Sequence, residues 1–242
     1  MQKVYLKENV YEATQKRLEL IFNEFDNVLV AFSGGKDSGV CLNLAYDYAK
    51  KHNMLDKLSM YHLDYEAQYS ATIDYVTKCF LDDFKGIKKF WLCMPNSVPC
   101  AVSVYQSYWV PWEKAKKDIW VRPMPNNEYV INEDNAPFDY TPGVSDYEFQ
   151  EQFNKWFADK YGDTAVIIGI RTDESLDRFR AIASDKKVRV FKGLQYMVGD
   201  SHVCHAYPIY DWTVDDIWIY NCKYNKPYNT LYDLYYQAGL QP

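Results

Sequence analysis

The amino-acid sequence predicts an α/β fold in which helices flank a parallel β-sheet. Continuous apolar runs such as NVLVAF (27–32) and TAVIIGI (164–170) have the pattern of strands that are buried on both faces of such a sheet. Strand-like and helix-like segments alternate along much of the chain, as they do in βαβ units. With 242 residues, of which 48% are hydrophobic, the chain can bury a core, and we expect a single domain over residues 1–242.

Hydrophobic periodicity assigns the individual elements. Residues 9–26 place Leu18 and Ile21 on one helical face, which predicts an amphipathic helix. Thr213 and Asp216 have the spacing of an N-terminal capping pair, which predicts a helix start there. The predicted elements, in chain order, are a helix over 9–26, a strand over 27–32, a helix over 38–52, a strand over 58–64, a helix over 66–84, a strand over 88–94, a helix over 147–162, a strand over 164–170, a helix over about 174–183, extended segments at 188–191 and 205–210, and a helix over 211–225.

The alternation breaks over about residues 95–143, a segment rich in proline and tryptophan that we interpret as an insertion within the domain. A structureless loop of this length is improbable in a compact domain unless it has a function. It is either a hydrophobic cover over the edge of the sheet or a surface for a substrate or partner, nucleic acid included. The second interpretation comes from aromatic side chains interleaved with basic ones, namely Tyr108, Trp109, Trp112, Lys114, Lys116, Lys117 and Arg122.

Charge and composition limit the class of protein. The chain has 27 basic and 33 acidic residues, a net charge of −6, which argues against general coating of nucleic acid but permits a local basic pocket for a nucleotide. There is no apolar run of membrane-spanning length and no apolar signal segment near the N-terminus. The six cysteines form no CxxC pair, so we expect a reduced, cytoplasmic protein.

Residues Ser33–Ser38, the SGGKDS loop, join a predicted buried strand to a predicted helix. Glycines let the backbone approach an anion closely, and the free N–H groups of a helix N-terminus face it. Lys36 adds a mobile positive charge, and the two serines add hydroxyl donors. The loop matches neither GxxxxGKS/T nor GxGxxG. It nevertheless predicts a phosphate-binding site.

Several segments resemble one protein superfamily. VAFSGGKDS (30–38) resembles the PP-loop of the ATP pyrophosphatase, or adenine nucleotide alpha hydrolase-like, superfamily. GIRTDESLDRFRA (169–181), YPIYDWTVDDIWIY (207–220) and KPYNTLYDLYYQAGL (226–240) resemble motifs of its phosphoadenosine phosphosulfate (PAPS) reductase-like branch. The insertion resembles a subgroup named for an immunoglobulin-binding regulator A and often paired with a ParB-like protein.

The resemblance implies a Rossmann-like sheet with an adenine nucleotide above the carboxyl ends of its strands. It implies ATP and Mg²⁺ as cofactors, a ParB-like partner and a homo-oligomer. The residues that it implies for binding the terminal phosphates are Ser33, Gly34, Gly35, Lys36, Asp37 and Ser38.

Other residues are assigned by position in the same motifs. Ala31 and Phe32 would flank the adenosine, and Asp64 would contact the ribose or, with Asp37, a Mg²⁺ ion held through the phosphates. Gly169 and Arg171 would approach the nucleotide from the other side. Arg178 would meet a phosphate or sulfate.

The resemblance covers two chemistries. PAPS reductases use a C-terminal cysteine and usually have a degraded phosphate loop, whereas this sequence keeps the loop and ends without a Cys-Gly-Leu-His tail. We therefore expect cleavage of ATP between its α- and β-phosphates and transfer of the adenylyl group to an acceptor. The residues expected to act in catalysis are Lys36, Asp37, Arg171 and Arg178. A thioredoxin-dependent PAPS or APS reductase and a nucleotide-binding regulatory subunit remain the alternatives.

Cysteine and histidine suggest metal sites only weakly. HVCH (202–205) supplies three of the roughly four ligands that zinc needs, and a strand cannot aim all three together, so we favour a packed strand. Cys93, Cys100, Cys204 and Cys222 lack the close spacing of an iron–sulfur site. Cys41 and Cys79 fall on helix faces and are expected to be packed thiols.

Overall fold

The computed structural model describes residues 6–100, 102–183, 194 and 196–240. Within them the predicted α/β fold is confirmed. The strands are β1 (Asn27–Ala31), β2 (Leu58–Leu63), β3 (Lys88–Cys93), β4 (Val98–Pro99), β5 (Tyr108–Trp109), β6 (Val130–Asn132), β7 (Thr164–Ile167), β8 (Met197–Gly199) and β9 (Val203–Ala206). The α-helices are α1 (Val10–Glu24), α2 (Lys36–Lys51), α3 (Ser70–Lys78), α4 (Asp146–Tyr161), α5 (Leu176–Ala183), α6 (Val214–Lys223) and α7 (Leu231–Gln237).

The central sheet has the strand order β6-β3-β2-β1-β7-β9-β8. Its strands pair in parallel, except that β8 is antiparallel to β9. Val28 in β1 lies opposite Leu58 on one side and Ala165 on the other. Because the chain builds the sheet outward in opposite directions from β1 and β7, the two strands form a topological switch point, where open α/β sheets usually bind their ligands.

Both faces of the sheet are covered by apolar side chains. Val28 and Val30 of β1 pack into one core with α1, α2 and α6, whereas Leu29 between them packs into a second core with α4. Phe149, on α4, is fully buried in that second core. This alternation explains why the strand sequences are apolar at successive positions instead of every second one.

Most of the predicted helices and strands agree with the observed ones apart from their ends. Of the extended segment predicted at 205–210, only the first two residues belong to a strand, β9, and β8 and α7 were not predicted. The helix predicted over 66–84 begins only at Ser70, and its last turn, Cys79–Asp83, is a wider π-helical turn. The capping pair of Thr213 and Asp216 is confirmed at the start of α6. The extended segment predicted at 188–191 lies outside the described residues.

The insertion contains a short antiparallel pair, β4 with β5, and a 3-10 turn at Lys114–Ile119. It also supplies β6, which the sequence pattern does not predict. β6 extends the sheet beyond β3, with Val130 opposite Trp91. The insertion therefore completes one edge of the sheet. In the part of the chain that the structure covers, every helix is too short or too polar to cross a membrane.

Candidate functional site

The SGGKDS loop connects the carboxyl end of β1 to the first turn of α2, as its sequence predicts. Gly35 is the N-cap residue of α2 and offers no side chain to the free N–H groups of the helix. Two serines fix the loop: Ser38 Oγ accepts a hydrogen bond from Ser33 N at 3.2 Å and lies 2.9 Å from Ser33 Oγ. The result is a preformed loop at an uncapped helix N-terminus, which favours an anion.

Two glycines allow the backbone to pack closely around this loop. Gly34 has a φ of +80°, and a Cβ atom there would lie 2.8 Å from Thr72 Cγ2. A Cβ atom on Gly169, which follows β7, would lie 2.9 Å from backbone atoms of Asp37 and Ser38. Backbone atoms cannot move aside as a flexible side chain can, so a side chain at position 169 would push the two segments apart. Glycine there lets the end of β7 pack directly against the start of α2.

The charged residues of the loop form a short chain of contacts. Lys36 Nζ lies 3.6 Å from Asp37 Oδ2, and Arg171 Nε donates a hydrogen bond to Asp37 Oδ1 at 2.5 Å. Arg171 is only 4% exposed. It therefore fixes the position of the Asp37 carboxylate through this hydrogen bond. Lys36 and Asp37 line a cavity, which is described below.

The end of the described chain returns to the loop. Tyr232 Oη accepts a hydrogen bond from Lys36 N at 3.1 Å, and the Tyr232 ring lies 5.1 Å from Lys36 Nζ. The Asn229 side chain donates to Gly34 O and to Thr72 Oγ1, each at 2.9 Å. The KPYNTLYD segment thus holds the loop in place from the C-terminal side.

A cavity of about 320 Å³, which we call the SGGKDS cleft, opens above the loop at the switch point between β1 and β7. This volume lies within the range of small-molecule sites. The predicted site residues that line it are Ala31, Phe32, Ser33, Gly35, Lys36, Asp37, Ser38, Gly169 and Arg178. Residues that line it without having been predicted are Tyr61, Leu63, Tyr65, Gln150, Ile168, Glu174 and Tyr232.

Polar but neutral side chains form the far wall of the cleft. Tyr61 donates a hydrogen bond to Gln150 Oε1 at 3.1 Å, and Tyr65 donates one to Asp146 Oδ2 at 3.0 Å. Burial raises the pKa of both phenols, so both hydroxyls stay protonated and act as donors. His62, beneath the loop, contacts Phe32 O through Nδ1 at 2.8 Å, and burial lowers its pKa, so its ring is neutral.

The structure does not bring Asp64 to the SGGKDS cleft. Leu63 and Tyr65 line the cleft, and Asp64 between them points away because successive residues of an extended chain face opposite sides. Asp64 is fully buried, and its carboxylate accepts hydrogen bonds from Trp91 Nε1 at 2.7 Å and from Arg122 Nη2 at 2.5 Å. Its partners thus come from β3 and the insertion, and its position offers no ribose contact.

Asp37 and Asp64 do not form a magnesium site together. Each carboxylate is paired with an arginine, and only Asp37 lines the cleft. Among the described residues, no group of three or more His, Cys, Asp or Glu side chains gathers in a geometry that would hold a metal ion. Asp64 is therefore not placed to share a magnesium ion with Asp37, whereas Asp37 lines the cleft and stays a candidate for an ion held through the phosphates.

The remaining cysteine and histidine predictions can be placed as well. Cys41 and Cys79 are buried thiols, as expected, and burial raises the pKa of Cys79 to about 12. In the HVCH segment, Cys204 is buried, while His202 is partly exposed and lies 2.9 Å from both Asp159 and Asp163. The segment thus packs as an alternating strand.

The aromatic and basic residues of the insertion lie in different surroundings. Trp112 is buried and donates its indole N–H to Asp64 O at 2.7 Å, which makes it part of the core. Tyr108 in β5 is 61% exposed. The basic side chains Lys114, Lys117 and Arg122 line a second cavity, described below.

Comparisons with known proteins agree with this architecture. The family model of the phosphoadenosine phosphosulfate reductase domain matches residues 27–238, from the first residue of β1 to the residue after α7. The uncharacterized protein YbdN of Escherichia coli (strain K12) is 37% identical over 241 residues, which is 98% of this chain and 58% of YbdN. The chain therefore spans little more than half the length of that curated relative.

Two solved structures show the same fold at low sequence identity. A phosphoadenylyl-sulfate reductase from Candida auris, determined as a phosphate complex, has a TM-score of 0.50 and 16% identity, covering 97% of this chain and 94% of its own. An FMN adenylyltransferase from Candida glabrata has a TM-score of 0.50 and 13% identity, and the match covers 96% of this chain and 62% of the adenylyltransferase. At such identities the likeness concerns the fold, which can host several reactions. The family match over most of its length shows that this chain belongs to the phosphoadenosine phosphosulfate reductase domain family.

Proposed function

We propose that the SGGKDS cleft binds ATP, with the β- and γ-phosphates on the SGGKDS loop. The observation that carries this proposal is the N-terminus of α2, which has no N-cap side chain and lines the cleft beside Lys36, with one of its N–H groups, Lys36 N, held by the Tyr232 hydroxyl. Free helix N–H groups together with a lysine are a general solution for binding phosphate. Arg178 also lines the cleft, 3.8 Å from Glu174 of the same lining, and a phosphate would compete with that carboxylate for it.

We place the rest of the ATP molecule against the other residues that line the cleft. Ala31 ends β1 and Phe32 follows it directly before the loop, and Leu63 and Ile168 add apolar surface from β2 and the segment after β7. A flat, partly apolar adenosine is suited to such a surface. Gln150 lies nearby with an amide that can both donate and accept hydrogen bonds.

We further propose that ATP is cleaved between its α- and β-phosphates. An acceptor oxygen attacks the α-phosphorus, the bond from that phosphorus to the bridging oxygen breaks, and pyrophosphate leaves with the electron pair. The negative charge that develops on pyrophosphate lies where Lys36 and the helix N–H groups can stabilise it. Asp37 and Arg171 act through position, because their ion pair fixes the first turn of α2.

The products of ATP test this proposal. The protein is incubated with ATP and Mg²⁺, alone and with candidate acceptors, and the nucleotides are separated by chromatography. We expect AMP, free or attached to an acceptor, together with pyrophosphate in equal amount. ADP with phosphate would contradict cleavage at the α–β bond, and tight ATP binding without any product would favour a regulatory subunit.

Family membership favours one other activity, the reduction of PAPS or APS. The same preparation, incubated with PAPS and a thioredoxin system, would release sulfite if that activity were present. We expect no sulfite, because the loop has kept the lysine and the helix N-terminus that suit a β,γ-diphosphate. Sulfite release without cleavage of ATP would show that the protein is a reductase and would contradict the proposed reaction.

A further inference from the structure

The insertion forms a second cavity, of about 670 Å³, which we call the insertion cavity. Its floor includes Cys93 at the end of β3 and Asn132 at the end of β6. One wall carries Lys117, Trp120 and Arg122. The volume is ample for a ligand of nucleotide size.

The insertion cavity is separate from the SGGKDS cleft. None of the residues that line one cavity lines the other. Both lie at the carboxyl edge of the sheet, but the usual spacing between strands puts the end of β3 about 10 Å from the end of β1, and β6 about 14 Å away. Asp64 lies between the two cavities, with its carboxylate on Arg122 and its neighbours Leu63 and Tyr65 in the cleft.

Trp120 offers a flat surface in the insertion cavity. Its ring is half-buried and meets Trp112 edge-to-face, with centroids 5.1 Å apart. Its indole N–H donates to Glu113 O at 3.1 Å, which fixes the orientation of the ring. The Trp112 ring is buried, with Arg122 5.0 Å from it, whereas the Trp120 ring is partly exposed and is the surface on which a planar ligand would stack.

The positive charge in the wall is concentrated near Trp120. Lys117 lies 5.9 Å from the Trp120 ring and forms no ion pair with any described residue. Arg122 is held by Asp64, yet its Nε is buried and has no hydrogen-bond partner among the described residues. Because this nitrogen is closed to solvent, a ligand in the cavity would meet other atoms of the Arg122 side chain, which is 18% exposed.

The opposite side of the cavity accepts hydrogen bonds. Glu133 and Asp134 line it, and Lys114 neutralises only one of their two charges, at 3.3 and 2.5 Å. Carboxylates in such a position recognise amino groups, such as the exocyclic amine of cytosine. The cavity is therefore basic and aromatic on one side and acidic on the other.

We propose that the insertion cavity binds a nucleoside monophosphate whose base carries an exocyclic amino group. The phosphate lies at Lys117 and Arg122, the base stacks on Trp120, and the amino group faces Glu133 and Asp134. This site is additional to the SGGKDS cleft and does not depend on cleavage of ATP.

Cytidine and uridine monophosphate are the probes, because they differ only along the edge of the base that would face the carboxylates, at the C4 substituent and the proton on N3. Each is titrated into the full chain by calorimetry, in wild type and in Lys36→Ala, with a non-hydrolysable ATP analogue present and absent. We expect one site for cytidine monophosphate, unaffected by Lys36→Ala or by the analogue. Uridine monophosphate should bind at least about tenfold more weakly, since a carboxylate would face a carbonyl oxygen.

A pair of neighbouring lysines supplies the matched control. Lys117→Gln should weaken binding of cytidine monophosphate at least about tenfold, because it removes a charged hydrogen bond to phosphate. Lys116→Gln should change it less than about twofold, because Lys116 pairs with Glu113 and does not line the cavity. Both lysines are exposed, so neither change threatens the fold.

Three results would overturn the proposal. The first is no saturable binding of cytidine monophosphate at millimolar concentration. The second is equal affinity for the two monophosphates or equal effects of the two lysine variants. The third is competition by the ATP analogue that disappears in Lys36→Ala, which would put the probe in the SGGKDS cleft.

Discussion

Arg171 with Asp37 and Arg122 with Asp64 are two ion pairs of the same kind, each with a nitrogen–oxygen distance of 2.5 Å. Both lie at the carboxyl edge of one sheet. The first joins the segment after β7 to the first turn of α2. The second joins the insertion to the end of β2.

The difference between the two pairs lies in what surrounds the aspartate. Asp37 still faces the SGGKDS cleft, next to Lys36 and the helix N-terminus. Asp64 is fully buried, and donors from the backbone, Trp91 and Arg122 occupy its oxygens. The same pair of residue types thus orients a ligand site in one place and fastens an insertion in the other, which shows that an aspartate at a strand end is not by itself evidence of a ligand contact.

The largest expected effect on stability comes from Arg122. Arg122→Met should lower the free energy of unfolding by about 3–5 kcal/mol, because it leaves the fully buried Asp64 without its cation. Arg171→Met should lower it less, because Asp37 faces the cleft and keeps Lys36 nearby. Only Arg171→Met should also weaken ATP binding. Urea denaturation and ATP titration of both variants measure the two effects separately.

The two arginine variants also test whether the two ion pairs have different roles. If Arg122→Met weakened ATP binding as much as Arg171→Met does, the ends of β2 and β7 would belong to a single site. The double variant Asp64→Asn/Arg122→Met is the control for stability. It should recover part of the loss, since no unpaired charge remains buried.

The next effect concerns the SGGKDS loop alone. Lys36→Ala should lower the rate of pyrophosphate release from ATP by at least about 10²-fold, because a preorganised charge at the leaving group is lost. Lys51→Ala, at the exposed far end of the same helix, is the control and should leave the rate unchanged. An unchanged rate in Lys36→Ala would show that the loop does not bind the phosphates.

A smaller effect is expected at Tyr232. Its hydroxyl accepts the Lys36 N–H that a phosphate oxygen would otherwise accept, so Tyr232→Phe should tighten ATP binding by about two- to fivefold. Tyr236→Phe changes an exposed tyrosine on the same helix and serves as the control. Weaker ATP binding in Tyr232→Phe would instead mean that the hydroxyl contacts the nucleotide.

The smallest effect is expected at His202, which forms exposed ion pairs with Asp159 and Asp163, unlike the two arginine–aspartate pairs. Hydrogen bonds to Asp163 and Asp159 raise the pKa of His202. A raised pKa in the folded state means that the stabilisation is present below the unfolded value, about 6.5, and is lost as the pH rises through the folded pKa. The difference in urea midpoint between wild type and His202→Gln should therefore be larger at about pH 5.5 than at about pH 8.5. A difference independent of pH would show that the histidine acts through packing alone.

Features formed by residues that are neighbours in the sequence could be predicted. The SGGKDS loop lies between a buried strand and a helix, and its two glycines and two serines determine its conformation locally. The strands β1, β2, β3 and β7 were evident from their apolar runs because both faces of the sheet are covered. These signals depend on neighbours in the chain.

Features that depend on packing could not be predicted in this way. Gln150 and Tyr232 reach the cleft from α4 and α7, and no local pattern links them to the loop. β6 is only three residues long and belongs to a proline-rich segment. The direction of Asp64 was in principle available from strand alternation with Leu63, but its arginine partner lies 58 residues further along the chain.

A crystal structure of the chain with a non-hydrolysable ATP analogue tests the central claim most directly. We predict that the β- and γ-phosphates occupy the SGGKDS loop, within hydrogen-bond distance of its backbone N–H groups and of Lys36 Nζ, with the Tyr232 hydroxyl displaced from Lys36 N. An analogue whose phosphates lie away from residues Ser33–Ser38, or in the insertion cavity, would contradict the account.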